Sequence, residues 1–236
     1  MLLKDVREQM IELWEKTFHD SKEYISLVFD TYFNEKYIAY HEHEEKIVSS
    51  LLGVPYEFGY GSQKLKGLYL CGLATEEKFR HKGLMSDLLE EINNRVSEDF
   101  DFTFLIPSSD LNADYYRRRG YFNSFFRLEE RYTSIHDFKN DFILSLNESD
   151  KRLRELKLNL FNSLRIIRYE QSSEINSQDI INFIQNREKK PKSIVNLCHS
   201  QIDLEAVIKE NMISGQSILI SLDSDNNITG VAFIVK

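Results

Sequence analysis

The chain has 236 residues, of which 30 are Lys or Arg and 38 are Asp or Glu, so its formal net charge is −8, and 42% of its residues are hydrophobic. This composition excludes a collagen-like or a fully disordered chain. The length predicts one large domain, or one complete domain with a smaller partner.

The sequence also limits the location and the partners that we expect. No run approaches the roughly 18–20 apolar residues of a membrane span, and residues 1–18 alternate apolar with charged positions, so we expect a cytoplasmic protein with no membrane partner. The cysteines, Cys71 and Cys198, lack C-x-x-C spacing, which argues against a disulfide framework or a cysteine metal site. The acidic balance argues against nucleic-acid binding and suits a small cationic partner.

Hydrophobic spacing predicts the elements of the first half of the chain. The expected elements are, in chain order, a helix at 4–18, a helix after the N-cap Ser21, a hairpin of strands 36–40 and 47–56 around the polar residues 41–46, a strand at 68–74, a helix at 84–96, a strand at 101–107, a helix at 110–119 and a strand region at 121–132. Residues 56–66 are interpreted as a loop or a strand edge, and Gly120 as the glycine that ends a helix. This order is typical of an α/β or α+β sandwich.

The second half begins with a polar stretch that lacks a steady period, which we interpret as a linker over residues 134–160. The elements expected after it are a strand at 164–169, helices at 178–185 and 204–212, and strands at 218–222 and 228–235 around a turn at 223–227. Their order repeats the opening order of the first half. The predicted domains are therefore residues 1–133 and 161–236.

Residues 73–85 combine the end of a strand, a basic loop, a glycine and the start of an apolar helix. The free N–H groups at a helix start carry the positive end of the helix dipole, and Gly83 permits close approach of a ligand. Arg80 and Lys82 add charges beside them, so the segment suits two neighbouring phosphates. The segment contains neither the P-loop pattern nor the G-x-G-x-x-G pattern. The alternative to a phosphate site is an ordinary solvated turn between a strand and a helix.

Two motifs carry a resemblance to a known family. Residues 80–85, RHKGLM, resemble the [RQ]-x-x-G-x-[GA] pyrophosphate loop of the GNAT superfamily of acyl-CoA N-acyltransferases, although Met85 replaces the usual small residue. Residues 112–122 resemble the Y-x-x-x-G-[FY] part of a later family element, with Tyr116 at the tyrosine. The resemblance covers residues 4–132, lacks the usual first strand, and is nearest to the two-lobed enhanced-intracellular-survival branch.

The resemblance implies a GNAT fold with a mixed, mostly antiparallel central sheet flanked by helices, and a smaller partial second GNAT-like lobe without a CoA loop. It implies an N-acetyltransferase that moves the acetyl group of the cosubstrate acetyl-CoA to a primary amine of a small molecule or peptide in a ternary complex, without a metal. Tyr116 would protonate the departing thiolate, and the arginines at 117–119 are expected to lower its pKa. The residues implied to bind acetyl-CoA are Leu73, Ala74, Thr75, Arg80, His81, Lys82, Gly83, Leu84, Met85 and Asn112.

Several assignments stay open at this point. A non-catalytic acyl-CoA-binding regulatory protein or a scaffold is the alternative to the enzyme, a homodimer is possible, and Tyr115 competes with Tyr116 as proton donor. Residues 41–45 are interpreted as a solvated hairpin tip rather than a metal site, because no third ligand follows at a defined spacing. Cys71 is expected to be a small core residue. The candidate general bases are His41, Glu42, His43 and Glu44.

Overall fold

The structure is a computed structural model, and it describes residues 3–122, 124, 165–169, 174–189 and 195–234. The predicted linker at 134–160 lies outside the described residues, as does most of the strand region predicted at 121–132. None of the described helices combines the length and the apolar run that crossing a membrane requires.

The described residues form six α-helices and eight strands, with short 3₁₀ turns at Glu35–Tyr37 and Glu77–Phe79. The helices are α1 (Leu3–Phe18), α2 (Lys22–Tyr32), α3 (Leu84–Val96), α4 (Asp110–Arg117), α5 (Ser177–Glu188) and α6 (Gln201–Ile213). The strands are β1 (Ile38–His43), β2 (Lys46–Tyr60), β3 (Gln63–Thr75), β4 (Phe102–Phe104), β5 (Arg165–Arg168), β6 (Val195–Cys198), β7 (Ser217–Leu222) and β8 (Ile228–Ile234).

The helix ends follow from local capping. The side chain of Ser21 accepts a hydrogen bond from the backbone N–H of Tyr24 at 3.2 Å, which confirms the predicted N-cap of α2. α3 has the predicted bounds. Gly120 lies just beyond α4 with φ +87, the left-handed conformation in which glycine ends helices.

The glycine-containing stretch at residues 56–66 is a continuous hairpin, so its interpretation as a loop was wrong. β2 and β3 pair from Tyr60 and Gln63 onward, and Gly61 in the turn between them has φ +57.

The first hairpin, formed by β1 and β2, also differs from the prediction. Its turn is confined to Glu44 and Glu45, both at positive φ, so residues 41–43 belong to β1 rather than to the tip.

The first sheet is mixed and mostly antiparallel, as expected. β2 pairs with β1 and β6 along one edge and with β3 along the other, and β4 joins β3 in parallel. α1 and α2 pack on one face through residues such as Trp14 and Phe29. α3 packs on the other face through Leu88 and Ile92. Burial of these two apolar layers holds the sheet between helices.

β6 was not predicted. In chain order it falls between α5 and α6, so the C-terminal elements run strand, helix, strand, helix, strand, strand. The expected order of strand, helix, helix, strand, strand is therefore wrong. It pairs with β2 from Glu57 opposite Cys198 to Tyr60 opposite Val195. A four-residue strand is too short to show a period of its own. Through it, the C-terminal part of the chain contributes a strand to the first sheet.

The C-terminal part also has its own three-stranded sheet, in the order β5-β7-β8. α5 and α6 cover it and form a core whose buried residues are Ile180, Ile181, Leu204, Ile208, Ile218, Ile220 and Leu222. Another side of α6 faces α2, where the hydroxyl of Tyr32 donates a hydrogen bond to the buried carboxylate of Asp203 at 3.1 Å. α6 is therefore enclosed on two sides.

Candidate active site

Strands β3 and β4 separate near the middle of the first sheet. They pair in parallel from Gly67 and Phe102 to Tyr69 and Phe104. β3 then continues to Thr75, whereas β4 ends at Phe104. Because the C-terminal half of β3 has lost this partner, a gap opens between it and the residues that follow β4.

A cavity of about 340 Å³ lies at this gap. Its walls include Leu73 on β3, together with Leu105 and Ile106 from the segment after β4. Asn112 and Tyr116 of α4 also line it. Three of the predicted site residues, one on β3 and two on α4, therefore meet at one cavity.

A β-bulge shapes the β3 wall of the cavity. The register of β2 against β3 shifts between Ser50 and Leu52, which leaves Gly72 and Leu73 without a paired residue on β2. Gly72 has φ +59, and a Cβ atom there would lie 2.3 Å from the Trp14 ring, so glycine is required. Bulges reorient backbone groups beside active sites. The bulge makes the backbone at Leu73 available to a ligand in the cavity.

The two residues after the bulge are held by the sheet. Ala74 is buried and pairs with Ser50, and Thr75 pairs with Ser49. The Ser49 hydroxyl is 2.8 Å from the Thr75 hydroxyl. Neither Ala74 nor Thr75 lines the cavity, so they define the position of the strand end from which the basic loop begins.

The loop after β3 leads directly into the open N-terminus of α3. Gly83 is the N-cap at φ +87, and no side chain caps the helix. The first amides of a helix, here those of Leu84 and Met85, lack partners within the helix and carry the positive end of its dipole. A Cβ atom on Gly83 would meet nothing within 4 Å, so the space beside these amides is open to a ligand.

Three exposed residues of the loop surround this helix start. Arg80 donates a hydrogen bond from Nε to the carbonyl oxygen of Thr75 at 3.1 Å, which anchors its side chain to the end of β3. Lys82 places Nζ 4.7 Å from the centre of the Phe79 ring. His81 has φ +62, so two left-handed residues lie within the loop. Two cations beside open helix amides suit a pyrophosphate.

The phenol of Tyr116 is shielded from water. Burial raises the pKa of Tyr116 to about 12, and the lowering effect of Arg119 is smaller. The expectation that the neighbouring arginines lower this pKa is therefore wrong in its net direction. Arg117 forms an ion pair with Asp114. Tyr116 stays protonated at neutral pH and is a hydrogen-bond donor.

Tyr115, the competing tyrosine, points elsewhere. Its hydroxyl lies 3.2 Å from the Ser86 hydroxyl in the first turn of α3. The guanidinium of Arg119 lies 3.5 Å from the centre of its ring and donates a hydrogen bond to Ser86 as well. Tyr115 does not line the cavity. These contacts favour Tyr116 as the tyrosine that faces a reacting group.

A family model described as an acetyltransferase (GNAT) domain matches residues 2–123. The chain belongs to the GNAT family. The matched residues include β3, the basic loop, α3 and α4, and therefore both of the motifs on which the resemblance depended. No curated protein matches the chain.

Two solved structures cover nearly all of this GNAT chain. One is a conserved protein of unknown function from Enterococcus faecalis V583, a probable N-acyltransferase, with a TM-score of 0.66 and 12% identity over 100% of this chain and 54% of its own. The other is Eis1 from Mycobacterium abscessus, with a TM-score of 0.60 and 8% identity over 99% of this chain and 51% of its own. At these identities the likeness shows the fold. The chain spans about half the length of either protein.

The two histidines among the predicted general bases of the GNAT chain lie beside the basic loop and its helix rather than at the cavity. The His43 ring is 5.1 Å from the Phe79 ring, and His41 Nε2 is 4.0 Å from a carboxylate oxygen of Asp87. None of the candidates His41, Glu42, His43 and Glu44 lines the cavity. Within the described part of the chain, no group of three or more His, Cys, Asp or Glu residues is arranged to hold a metal ion.

Cys71 lines the cavity, yet its chemistry is that of a core residue. Burial raises the pKa of its thiol to about 12, so the thiolate is not formed at neutral pH. A thiol nucleophile needs a lowered pKa or an adjacent base. Cys71 was expected to be a small core residue, and it is a partly buried residue that packs against the core and lines the cavity.

Sequence reasoning missed two carboxylates that line the cavity. Asp20 lies in the turn between α1 and α2 and accepts a hydrogen bond from Trp14 Nε1 at 2.8 Å. Glu210 lies on α6, in the C-terminal part of the chain. No local motif marks either residue, because their position at the cavity depends on how α6 packs against α2.

Proposed function

We propose that this chain is an N-acetyltransferase that moves the acetyl group of acetyl-CoA to a primary amine by direct transfer in a ternary complex. The observation that carries the proposal is the cavity at the gap between β3 and β4. Tyr116 and Leu73 line it. β3 leads from this wall to the basic loop and the open N-terminus of α3.

In this proposal the loop binds the pyrophosphate of acetyl-CoA. Arg80 and Lys82 neutralise its charge, and the amides of Leu84 and Met85 donate hydrogen bonds to its oxygens. Gly83 leaves room for the phosphate, since a Cβ atom there would project into open space. The pantetheine arm then follows β3 to Leu73, where the acetyl group reaches the cavity.

The neutral amine nitrogen forms a bond to the acetyl carbonyl carbon, the carbon–sulfur bond then breaks, and CoA leaves as the thiolate while the proton that the nitrogen loses passes to water. A backbone N–H at the bulge, near Leu73, stabilises the oxyanion, a contribution of a few kcal/mol for each well-placed donor. Tyr116 donates a hydrogen bond to the departing thiolate. Because burial raises the pKa of Tyr116 to about 12, its main effect is to stabilise the thiolate by hydrogen bonding.

We further propose that residues 1–133 form the catalytic domain and that residues 161–236 form a partial second GNAT-like lobe. The C-terminal part has strands, helices and a core of its own, yet its described residues contain no counterpart of the basic loop between a strand and a helix. A single acyl-CoA site within the described part of the chain is the consequence.

Calorimetric titration with acetyl-CoA tests the binding step. The wild type is compared with the double variant Arg80→Ala, Lys82→Ala, and with the control Lys4→Ala, Lys64→Ala, which removes the same charge from lysines paired with Glu8 and Glu57. We expect micromolar binding by the wild type and the control, and at least a tenfold loss in the loop variant. Equal affinity of all three proteins would refute the assignment of the loop.

The chemical step is tested by CoA release in the presence of primary amines. Tyr116→Phe is expected to lower kcat while leaving the affinity for acetyl-CoA unchanged, because the hydroxyl acts on the leaving group. Tyr115→Phe is the matched control on the same helix. Binding of acetyl-CoA without transfer to any amine would instead favour a non-catalytic acyl-CoA-binding protein.

A further inference from the structure

One wall of the cavity comes from the C-terminal part of the chain. Ala206, Val207 and Glu210 on α6 line it, together with Tyr116 and residues of β3. Asp203 lies one further turn back on this helix face, and its buried carboxylate accepts the hydrogen bond from Tyr32. Residues at i, i+3, i+4 and i+7 share one side of a helix, so the contact at Asp203 fixes which residues of α6 face the cavity.

The lining of this cavity is acidic and aromatic. Among its described lining residues there is no Lys, Arg or His, whereas Asp20 and Glu210 are carboxylates. The aromatic lining residues are Trp14, Phe18, Tyr24, Tyr32, Tyr56, Tyr69 and Tyr116. Aromatic faces and carboxylates both attract an ammonium group, and neither suits an anion.

The two carboxylates are not equivalent. Asp20 is engaged by the indole N–H of Trp14. Glu210 is exposed to solvent, and no described residue forms a hydrogen bond or an ion pair with its side chain, although its charge acts on Tyr24. Shielding of part of this side chain from water raises the pKa of the Glu210 carboxyl above its ordinary value, and no cation offsets that effect.

We propose that Glu210 binds a second ammonium group of the acceptor, so that the preferred substrate is an amine carrying two positive charges. One amine nitrogen reaches the acetyl group near Leu73 while the other pairs with Glu210. The C-terminal part of the chain then determines which amine is used. This inference rests on the proposed function, because that proposal identifies the cavity as the place where the acceptor binds. Its test measures binding alone and does not depend on the proposed reaction.

The test uses binding, which needs no turnover. Trp14 lines the cavity and is the single tryptophan of the chain, so its fluorescence reports occupancy. The probes are the α,ω-diamines from 1,3-diaminopropane to 1,6-diaminohexane, each compared with the monoamine of the same carbon count. These are titrated into the wild type, Glu210→Gln, Glu210→Asp and the control Glu205→Gln, which removes a carboxylate from the same helix outside the cavity lining.

We expect at least one diamine to bind the wild type roughly fivefold or more tightly than its monoamine, the gain of one partly exposed ion pair. Glu210→Gln is expected to abolish this preference and to leave monoamine binding within about twofold. Glu210→Asp is expected to retain part of it, and Glu205→Gln all of it. The same ratio is expected in KM wherever transfer is measured.

Two results would overturn the inference: a wild type that does not prefer any diamine, or a preference that Glu210→Gln retains. Failure of the proposed function has a different signature, since no amine would then be acetylated, whether or not acetyl-CoA binds. The diamine titrations remain decisive in that case as well, because they require neither acetyl-CoA nor chemistry.

Discussion

Gly83 permits a sharp test of how the helix start binds acetyl-CoA, because the chain contains a second glycine in the same conformation. Gly83 and Gly120 both have φ +87, and a Cβ atom on either would meet nothing within 4 Å. An alanine in this left-handed region costs about 1–2 kcal/mol. Gly83→Ala and Gly120→Ala should therefore lower the free energy of unfolding by similar amounts, as measured by urea denaturation.

The two variants should differ in their affinity for acetyl-CoA. In the proposed site, the new Cβ at residue 83 would project into the space through which a phosphate approaches the amides of Leu84 and Met85. Loss of one hydrogen bond to a charged group costs about 1.5–3 kcal/mol, which corresponds to a roughly ten- to hundredfold weaker Kd. Calorimetry measures this difference directly, and the Gly120→Ala protein corrects it for backbone strain. Equal Kd values for the two variants would refute the assignment of this helix start as the phosphate site.

Three further predictions concern the fold around the cavity. Gly72→Ala should lower the free energy of unfolding by about 2–4 kcal/mol, more than Gly83→Ala does, because the new Cβ would lie 2.3 Å from the Trp14 ring. If urea denaturation gave the same loss of unfolding free energy for both variants, this reasoning would be contradicted. Asp203→Ala should lower the free energy of unfolding by about 1–3 kcal/mol more than Asp179→Ala, the analogous capping-box change. The reason is that only Asp203 also accepts a hydrogen bond from the hydroxyl of Tyr32. Equal melting temperatures of the two variants would argue against that contact. Burial raises the pKa of Tyr116 to about 12, so the unfolded state loses this proton first and the free energy of unfolding should fall as pH rises from 10 to 12. Tyr116→Phe should make that fall shallower, and an unchanged pH dependence would contradict the burial of the phenol.

The sequence was most informative where structure depends on neighbours along the chain. The bounds of α3, the N-cap at Ser21 and the helix-ending role of Gly120 follow from spacing and capping within a few residues. The basic loop is also local, since its charges, its glycine and the amides that it exposes lie within residues 80–85. Short-range signals of this kind predicted the family and the phosphate side of the candidate site.

Other features depend on partners distant in the sequence. β6 has four residues and exists as a strand because β2 offers it an edge. Gly59 and Gly61 indicated a loop, yet pairing between β2 and β3 extends through that region. Gly72 looks like any strand glycine until the Trp14 ring is packed against it.

The sequence by itself determined the family, and it marked the basic loop and Tyr116, because each is contained in a short, contiguous pattern. Only the tertiary structure brought the α6 residues to the cavity, where we propose that the acceptor binds. Glu210 lies far along the chain from Tyr116, and both line the same cavity because α6 packs against α2. That arrangement depends on the buried contact between Tyr32 and Asp203 and on the strand that β6 adds to β2, and no window of local sequence contains either pair.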